Sequence, residues 1–124
     1  MALLLDSNVL LWLTVQPGKL EARTLQQIDA SARLFLSVVS IWELEIKVHA
    51  GKLSLPTDLW DELPGLAIEV IAVLQSDAIR AARLPLHHRD PFDRMIIAQA
   101  LARGLTVATR DAAFAFYGVP ILRA

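Results

Sequence analysis

The sequence predicts a three-layer α/β domain, a central and mostly parallel sheet of four to five strands flanked by helices. Short, largely apolar runs recur at residues 2–5, 34–37, 68–71, 105–109 and 119–122. Each is too short for a stable helix, and most lack the alternation of a half-wet strand, which suits strands buried on both faces. Segments with helical spacing and cap signals separate them through short turns, the order that produces a parallel sheet with helices on both sides. Between Met95 and Ala102 only Gln99 is polar. A helix without a solvated face lies inside the protein, so this one is central.

In chain order, Ala2–Leu5 reads as the first strand, with Asp6 at its carboxyl end. Ser7 and Asn8 lead into the apolar Val9–Leu13, so Asp6 or Ser7 can cap a helix that Pro17-Gly18 ends. Leu20, Leu25, Ile28 and Ala32 recur at near-helical spacing among polar residues, as on an amphipathic surface helix. Leu34–Ser37 is the second strand, followed by a helix from Val38 that Gly51 closes, capped by Ser37 or Ser40. Glu43 falls early in that helix, and Lys47 four residues on is placed for a surface ion pair. Thr57 is expected to cap a short helix through Leu63, broken by Pro64-Gly65.

Ile68–Ile71 is the third strand and Ser76–Arg83 a small helix that Pro85 stops. Asp90 then precedes Pro91, an N-cap followed by a proline at the first helical position, where its missing N–H costs nothing. Leu105–Thr109 is the fourth strand, Arg110-Asp111 opens a short helix to Phe116 or Tyr117, and Val119–Leu122 is a fifth strand. Pro120 assigns that last strand to an edge.

The 124 residues fit one domain, 1–124. Hydrophobic residues make up 55% and mean hydropathy is +0.46, yet no apolar run approaches the ~20 residues that span a bilayer. Surplus apolar surface is expected to meet a protein partner. The apolar start is cut off by Asp6 with no basic leader or cleavage site, so a cytoplasmic protein is expected. There is no cysteine, which excludes disulfides and thiolate metal sites and leaves oxygen and imidazole as ligands. Net charge is −1, so any nucleic-acid contact must be local.

In right-handed strand–helix–strand units, helix N-termini and strand carboxyl ends share one sheet edge, where such sheets bind ligands. Asp6, Glu43, Asp93 and Asp111 all belong on that edge. Singly each has an ordinary reading, as a cap or, for Glu43, as the partner of Lys47. Together, four crowded carboxylates repel one another unless a cation intervenes. With no thiolate available, Mg²⁺ or Mn²⁺ is the natural counter-charge, and such a centre suits hydrolysis of phosphodiesters. Ser7, Asn8 and Thr109 are candidates to orient water or carboxylates, and equally ordinary cap or turn residues.

Leu4–Trp12, Ser37–Glu43 with Gly51-Lys52-Leu53, Asp90-Pro91-Phe92-Asp93-Arg94 with Ile97–Ala100, and Thr109-Arg110-Asp111 with Phe114 and Tyr117–Val119 follow in order along the chain. In these four blocks the sequence resembles the PIN-domain ribonucleases, and within them the VapC-type toxins of toxin–antitoxin pairs. The resemblance implies a PIN-like fold, a metal-dependent endoribonuclease, and Asp6, Glu43, Asp93 and Asp111 as its acidic site. Asp90 is then an outer acid or only the cap. It also implies a toxin homodimer and a cognate antitoxin whose C-terminal segment covers the site. Where many relatives carry a further acid just after the fourth, this chain has Ala112 and Ala113, which bears on a second metal, and Ser7 replaces a common threonine.

His87, His88 and Arg89 before the central helix, and Arg94 and Arg110 beside the acids, are candidate contacts for RNA phosphates. Trp12, Trp42 and Trp60 lie at helical positions where packing is expected rather than base stacking. Two other readings compete. A phosphatase forming an aspartyl-phosphate expects an acid two residues after the first, where Asn8 stands, and an inert module that kept only the fold expects acids missing from the cluster. The RNA target is not written in these motifs, and attack by water, needing no ribose 2′-hydroxyl, leaves DNA chemically open as a substrate.

Overall fold

The apolar runs pair into one sheet because each can fill both of its faces. The computed structural model describes residues 1–124. Strands β1 (Ala2–Leu5), β2 (Arg33–Ser37), β3 (Ile68–Ile71), β4 (Thr106–Thr109) and β5 (Ile121–Arg123) lie in the order β3-β2-β1-β4-β5. Every pairing is parallel, with Leu4 opposite Phe35 on one side and Val107 on the other. The chain runs outward from β1 through β2 to β3, then returns to the other side for β4 and β5. The crevice at the carboxyl ends of β1 and β4 is therefore the switch point of the sheet, the place where such folds take ligands.

Six helices cover the sheet: α1 (Ser7–Val15), α2 (Ala22–Asp29), α3 (Val38–His49), α4 (Leu59–Glu62), α5 (Gln75–Arg83) and α6 (Pro91–Arg103). Tight 3₁₀ turns occupy Pro17–Lys19, Leu63–Leu66 and Ala112–Tyr117. Alternation along the strands divides the core. Leu3, Leu5, Leu36, Ala108 and Leu122 meet Val9 and Leu10 of α1, Ile28 of α2, Leu44 of α3 and Leu63. Leu4, Phe35 and Val107 meet Ile96, Ile97 and Ala100 of α6 together with Phe114. Helix α3 packs on both α1 and α6, which brings three helical N-terminal regions to one edge. No helix is long and apolar enough to cross a membrane.

Most boundaries follow local chemistry. Asp6 caps α1 by accepting from Val9 N at 3.0 Å, Ser37 rather than Ser40 caps α3, and Asp90 caps α6 ahead of Pro91. Gly104, at φ 64°, ends α6 in the left-handed conformation that glycine adopts without strain. Pro120 precedes an edge strand, as its missing N–H requires, although β5 starts only at Ile121.

Three expectations are corrected. Thr57 caps nothing: α4 starts after Asp58 with no side-chain cap, placed by burial of Leu59 and Leu63. Helix α4 does stop before Pro64-Gly65, at Glu62 rather than Leu63, and the chain continues in a 3₁₀ turn to Leu66 whose first turn tolerates the proline. Ala32 lies beyond α2, exposed before β2, leaving Thr24 and Ile28 as the buried residues of that helix.

Ile97 is fully buried in the layer that carries α6. Ile97→Ala is expected to lower stability by about 3 kcal/mol in urea unfolding, the ordinary loss for a buried aliphatic truncation.

Candidate active site

Asp6 and Asp111 are fixed by backbone N–H groups of the turns they open, Glu43 by a hydroxyl, and Asp93 by neither. Asp6 leaves β1 and turns into α1, so its Oδ1 accepts from Val9 N. Its Oδ2 accepts from Thr109 Oγ1 at 2.6 Å across the β1–β4 pair. The same Thr109 hydroxyl accepts from Asp111 N at 3.0 Å, and Asp111 Oδ1 accepts from Ala113 N at 2.9 Å. Thr109 thus orients one acid and fixes the backbone of a second. On α3, Glu43 Oε1 accepts from Ser7 Oγ at 2.6 Å, with Ser40 Oγ 3.0 Å from that hydroxyl. Glu43 Oε2 lies 3.6 Å from Lys47 Nζ, the i,i+4 pair anticipated from spacing.

Asp90 Oδ1 accepts from Phe92 N and Asp93 N, leaving the Asp93 carboxylate free to face the crevice. His88 Nε2 meets it there, 3.0 Å from Asp93 Oδ2 and 2.8 Å from Asp111 Oδ2. The ligand-type atoms of His88, Asp93 and Asp111 all lie within 4.8 Å of one another.

The electrostatics describe one cluster. Burial foremost, then the charges of Asp90, Asp6 and Glu43, push Asp93 up to about 7, with His88 opposing them. Burial also raises Asp6, against the hydrogen bonds from Thr109, Val9 and Asn8, and Glu43 adds repulsion. Carboxylates whose charged forms are this disfavoured are the donor set that a hard divalent cation relieves.

Other candidates behave differently. Ser7 and Thr109 are buried hydroxyls bonded to acids of the cluster, while Asn8 is exposed and makes no side-chain hydrogen bond within the chain. Arg89 is exposed with no ionic partner, so it stays available to a phosphate. Arg94 is corrected. It is buried, and its guanidinium donates only to the carbonyls of Ala81, Ala82, Leu84, Pro85 and His88. Arg110 stays exposed, stacking 4.1 Å over Trp12 and donating to Lys19 O and Ala124 O, which ties strand β5 to the turn after α1.

His87 packs against Phe116 and Tyr117 rather than joining the acids. His88, read from sequence as a phosphate contact, instead hydrogen-bonds Asp111 and lies 3.0 Å from Asp93 Oδ2. No spacing rule could have found this, because the partner Asp111 is 23 residues away. Trp12 and Trp60 pack or bond within the fold, whereas Trp42 is 62% exposed and rests edge-on against Phe92, 5.2 Å between centroids.

The PIN domain family model matches residues 3–119. The chain belongs to the PIN-domain family. Ribonuclease VapC22 of Mycobacterium tuberculosis is 30% identical over 111 residues, covering 87% of this chain and 85% of that protein. The crystal structure of FitAcB from Neisseria gonorrhoeae superposes with a TM-score of 0.70 at 25% identity, over 98% of this chain and 96% of that one. VapBC-5 of Mycobacterium tuberculosis, a member of the VapBC family of toxin–antitoxin systems, gives 0.64 at 27% identity, over 99% and 98%. The PIN fold therefore extends over nearly the whole chain, and the five-stranded parallel sheet with helices on both faces is that fold.

The raised Asp93 gives the metal-free PIN domain a definite pH response. An unfolded aspartate loses its proton near 3.8, whereas folded Asp93 keeps it to about 7. In between the folded state holds the extra proton, so this group's contribution is complete below about pH 4 and is lost as pH rises through about 7. In EDTA, melting temperature is expected to fall between about pH 4 and pH 7, and Asp93→Asn to flatten that part of the profile.

Proposed function

We propose that this PIN domain is the endoribonuclease toxin of a toxin–antitoxin pair, with Asp6, Glu43, Asp93 and Asp111 holding Mg²⁺ or Mn²⁺. What supports the reading is the crowding of charge around Asp93, pushed up to about 7 by burial and by the charges of Asp90, Asp6 and Glu43, with Asp111 on the same His88 imidazole. A site so short of positive charge is suited to a divalent cation, and oxygen donors suit Mg²⁺ and Mn²⁺. When bound, the cation supplies the missing charge and lowers the pKa of water at the centre. The rest falls to the chain itself. Thr109 aims Asp6, Ser7 aims Glu43, and Asp90 fixes the first turn of α6 that presents Asp93. Arg89 offers an unpaired guanidinium to an RNA phosphate at the mouth of the site.

The antitoxin follows from the relatives' names together with the surface of this chain. Val38, Trp42 and Ile46 leave an exposed apolar stripe on α3, the helix that carries Glu43. A protein segment covering that stripe lies beside the acids, and silencing by occlusion is then a matter of proximity. The surplus of apolar residues fits a homodimer as well, and the absence of a spanning helix fits a toxin acting in the cytoplasm. All four acids are present, which favours the enzyme over an inert relative.

Purified protein is expected to cleave a labelled mixed-sequence RNA with Mg²⁺ or Mn²⁺ and not with EDTA. Asp6→Asn and Asp93→Asn should each lower the rate by at least about 100-fold while remaining folded by circular dichroism. Absence of cleavage with either ion, together with a melting temperature that neither ion raises, would remove the metal and the enzyme together.

A further inference from the structure

Beside Asp111 the surface carries an aromatic cluster that the acid site does not use. Asp111 opens the turn Ala112–Tyr117, and the segment from Pro85 to His88 is held against the end of that turn. Tyr117 Oη joins the two, accepting from His88 N and donating to Pro85 O, each at 2.7 Å. Phe114 is fully buried and His88 meets it edge-on, so the turn has a fixed base. Three rings then meet at the surface. His87 lies 5.2 Å from Tyr117 at an interplanar angle of 74°, and 5.7 Å from Phe116 at 43°. Phe116 is nevertheless 69% exposed, and Leu86, next to His87 in the chain, is 82% exposed.

Single exposed apolar side chains need no explanation, but these are gathered and held in place. Every nucleobase presents a π-face, and unpaired bases are taken by stacking on aromatic side chains in a way that tolerates any sequence. Charge favours that occupant over a protein segment. There is no acid from Leu84 to Arg89, and Arg89 is exposed with no ionic partner. Phe116 follows Asp111 by five residues, about 10 Å along a 3₁₀ turn. A strand passing the acids therefore brings a neighbouring base to the rings, rather than the nucleotide being cut. We propose that His87, Phe116 and Tyr117 form a stacking platform for one unpaired base of single-stranded RNA, flanking the bond that the acid site cuts. Arg89 is placed to hold an adjoining phosphate. The platform selects unpaired RNA over duplex, whose bases are already stacked, and not one base over another. Its role rests on the ribonuclease reading above.

The test compares parent and Phe116→Ala, with Mg²⁺ or Mn²⁺, on short single-stranded RNAs that are intact or carry one abasic nucleotide at successive positions around the mapped cut. At one abasic position the parent is expected to lose about 5- to 100-fold in kcat/KM, chiefly through KM, the range for one base stacked on an aromatic ring. Phe116→Ala should lose as much on intact RNA and become indifferent to that position, while Phe116→Trp keeps the parent's behaviour. A parent equally fast at every abasic position overturns the platform and leaves the nuclease standing. So does a Phe116→Ala variant that cuts intact RNA as the parent does, and if that variant also loses self-association in sedimentation, the rings belong to a protein contact. Should Phe116→Ala not fold, the abasic scan of the parent decides. A parent that cuts no RNA overturns the ribonuclease reading instead, and the platform is then judged by fluorescence anisotropy of the labelled RNAs: equal binding of intact and abasic strands overturns it as well.

Discussion

Four carboxylates gathered at one edge of a parallel sheet repel one another, and the local structure around them can be read as a response to that repulsion. The fold offers them helix N-termini, where backbone N–H groups point outward and the helix dipole favours negative charge. Asp6, Asp90 and Asp111 each accept from one or more such N–H groups, while hydroxyls from Ser7 and Thr109 reach Glu43 and Asp6. Asp93 gets none of this help, since its neighbour Asp90 takes the N–H groups of the first turn, and burial first and the Asp90 charge next push it up to about 7. What stabilises the helix start is therefore what loads the free acid.

In the proposed metal centre Asp93 would meet the cation ionised, whereas the fold without a cation is more stable with Asp93 protonated. The chain belongs to the PIN-domain family, and ribonuclease VapC22 is 30% identical to it. The physical reading explains why so many oxygen donors can coexist in a small domain with a net charge of only −1.

Much of this was legible in the sequence, and the boundary of legibility has a physical form. Buried parallel strands declare themselves as short apolar runs, and caps at Asp6, Ser37 and Asp90 are local signals read within three residues. The shared edge of strand carboxyl ends and helix N-termini followed from handedness. What escaped depended on side-chain direction or on distant partners. Arg94 follows Asp93 directly, yet one step along a helix turns a side chain by about 100°, which aims it at the preceding loop rather than the crevice. Arg110 is diverted by Trp12 and by residues at the far ends of the chain. His88 meets Asp111 only once α6 and β4 are packed. Thr57 looked like a cap because its residue type suits one, but burial of Leu59 and Leu63 set the start of α4 instead.

The Arg94 guanidinium reads nothing but main chain between Ala81 and His88. A carbonyl is the same acceptor whatever side chain follows it, so the path of that segment is specified independently of its composition. The exposed side chains of Arg83 and Leu86 take no part in that network, so substitutions there leave the delivery of His88 to the acids undisturbed. One buried cation sets the path of the segment and leaves its outer face to composition, a division of labour between geometry and identity within eight residues of chain.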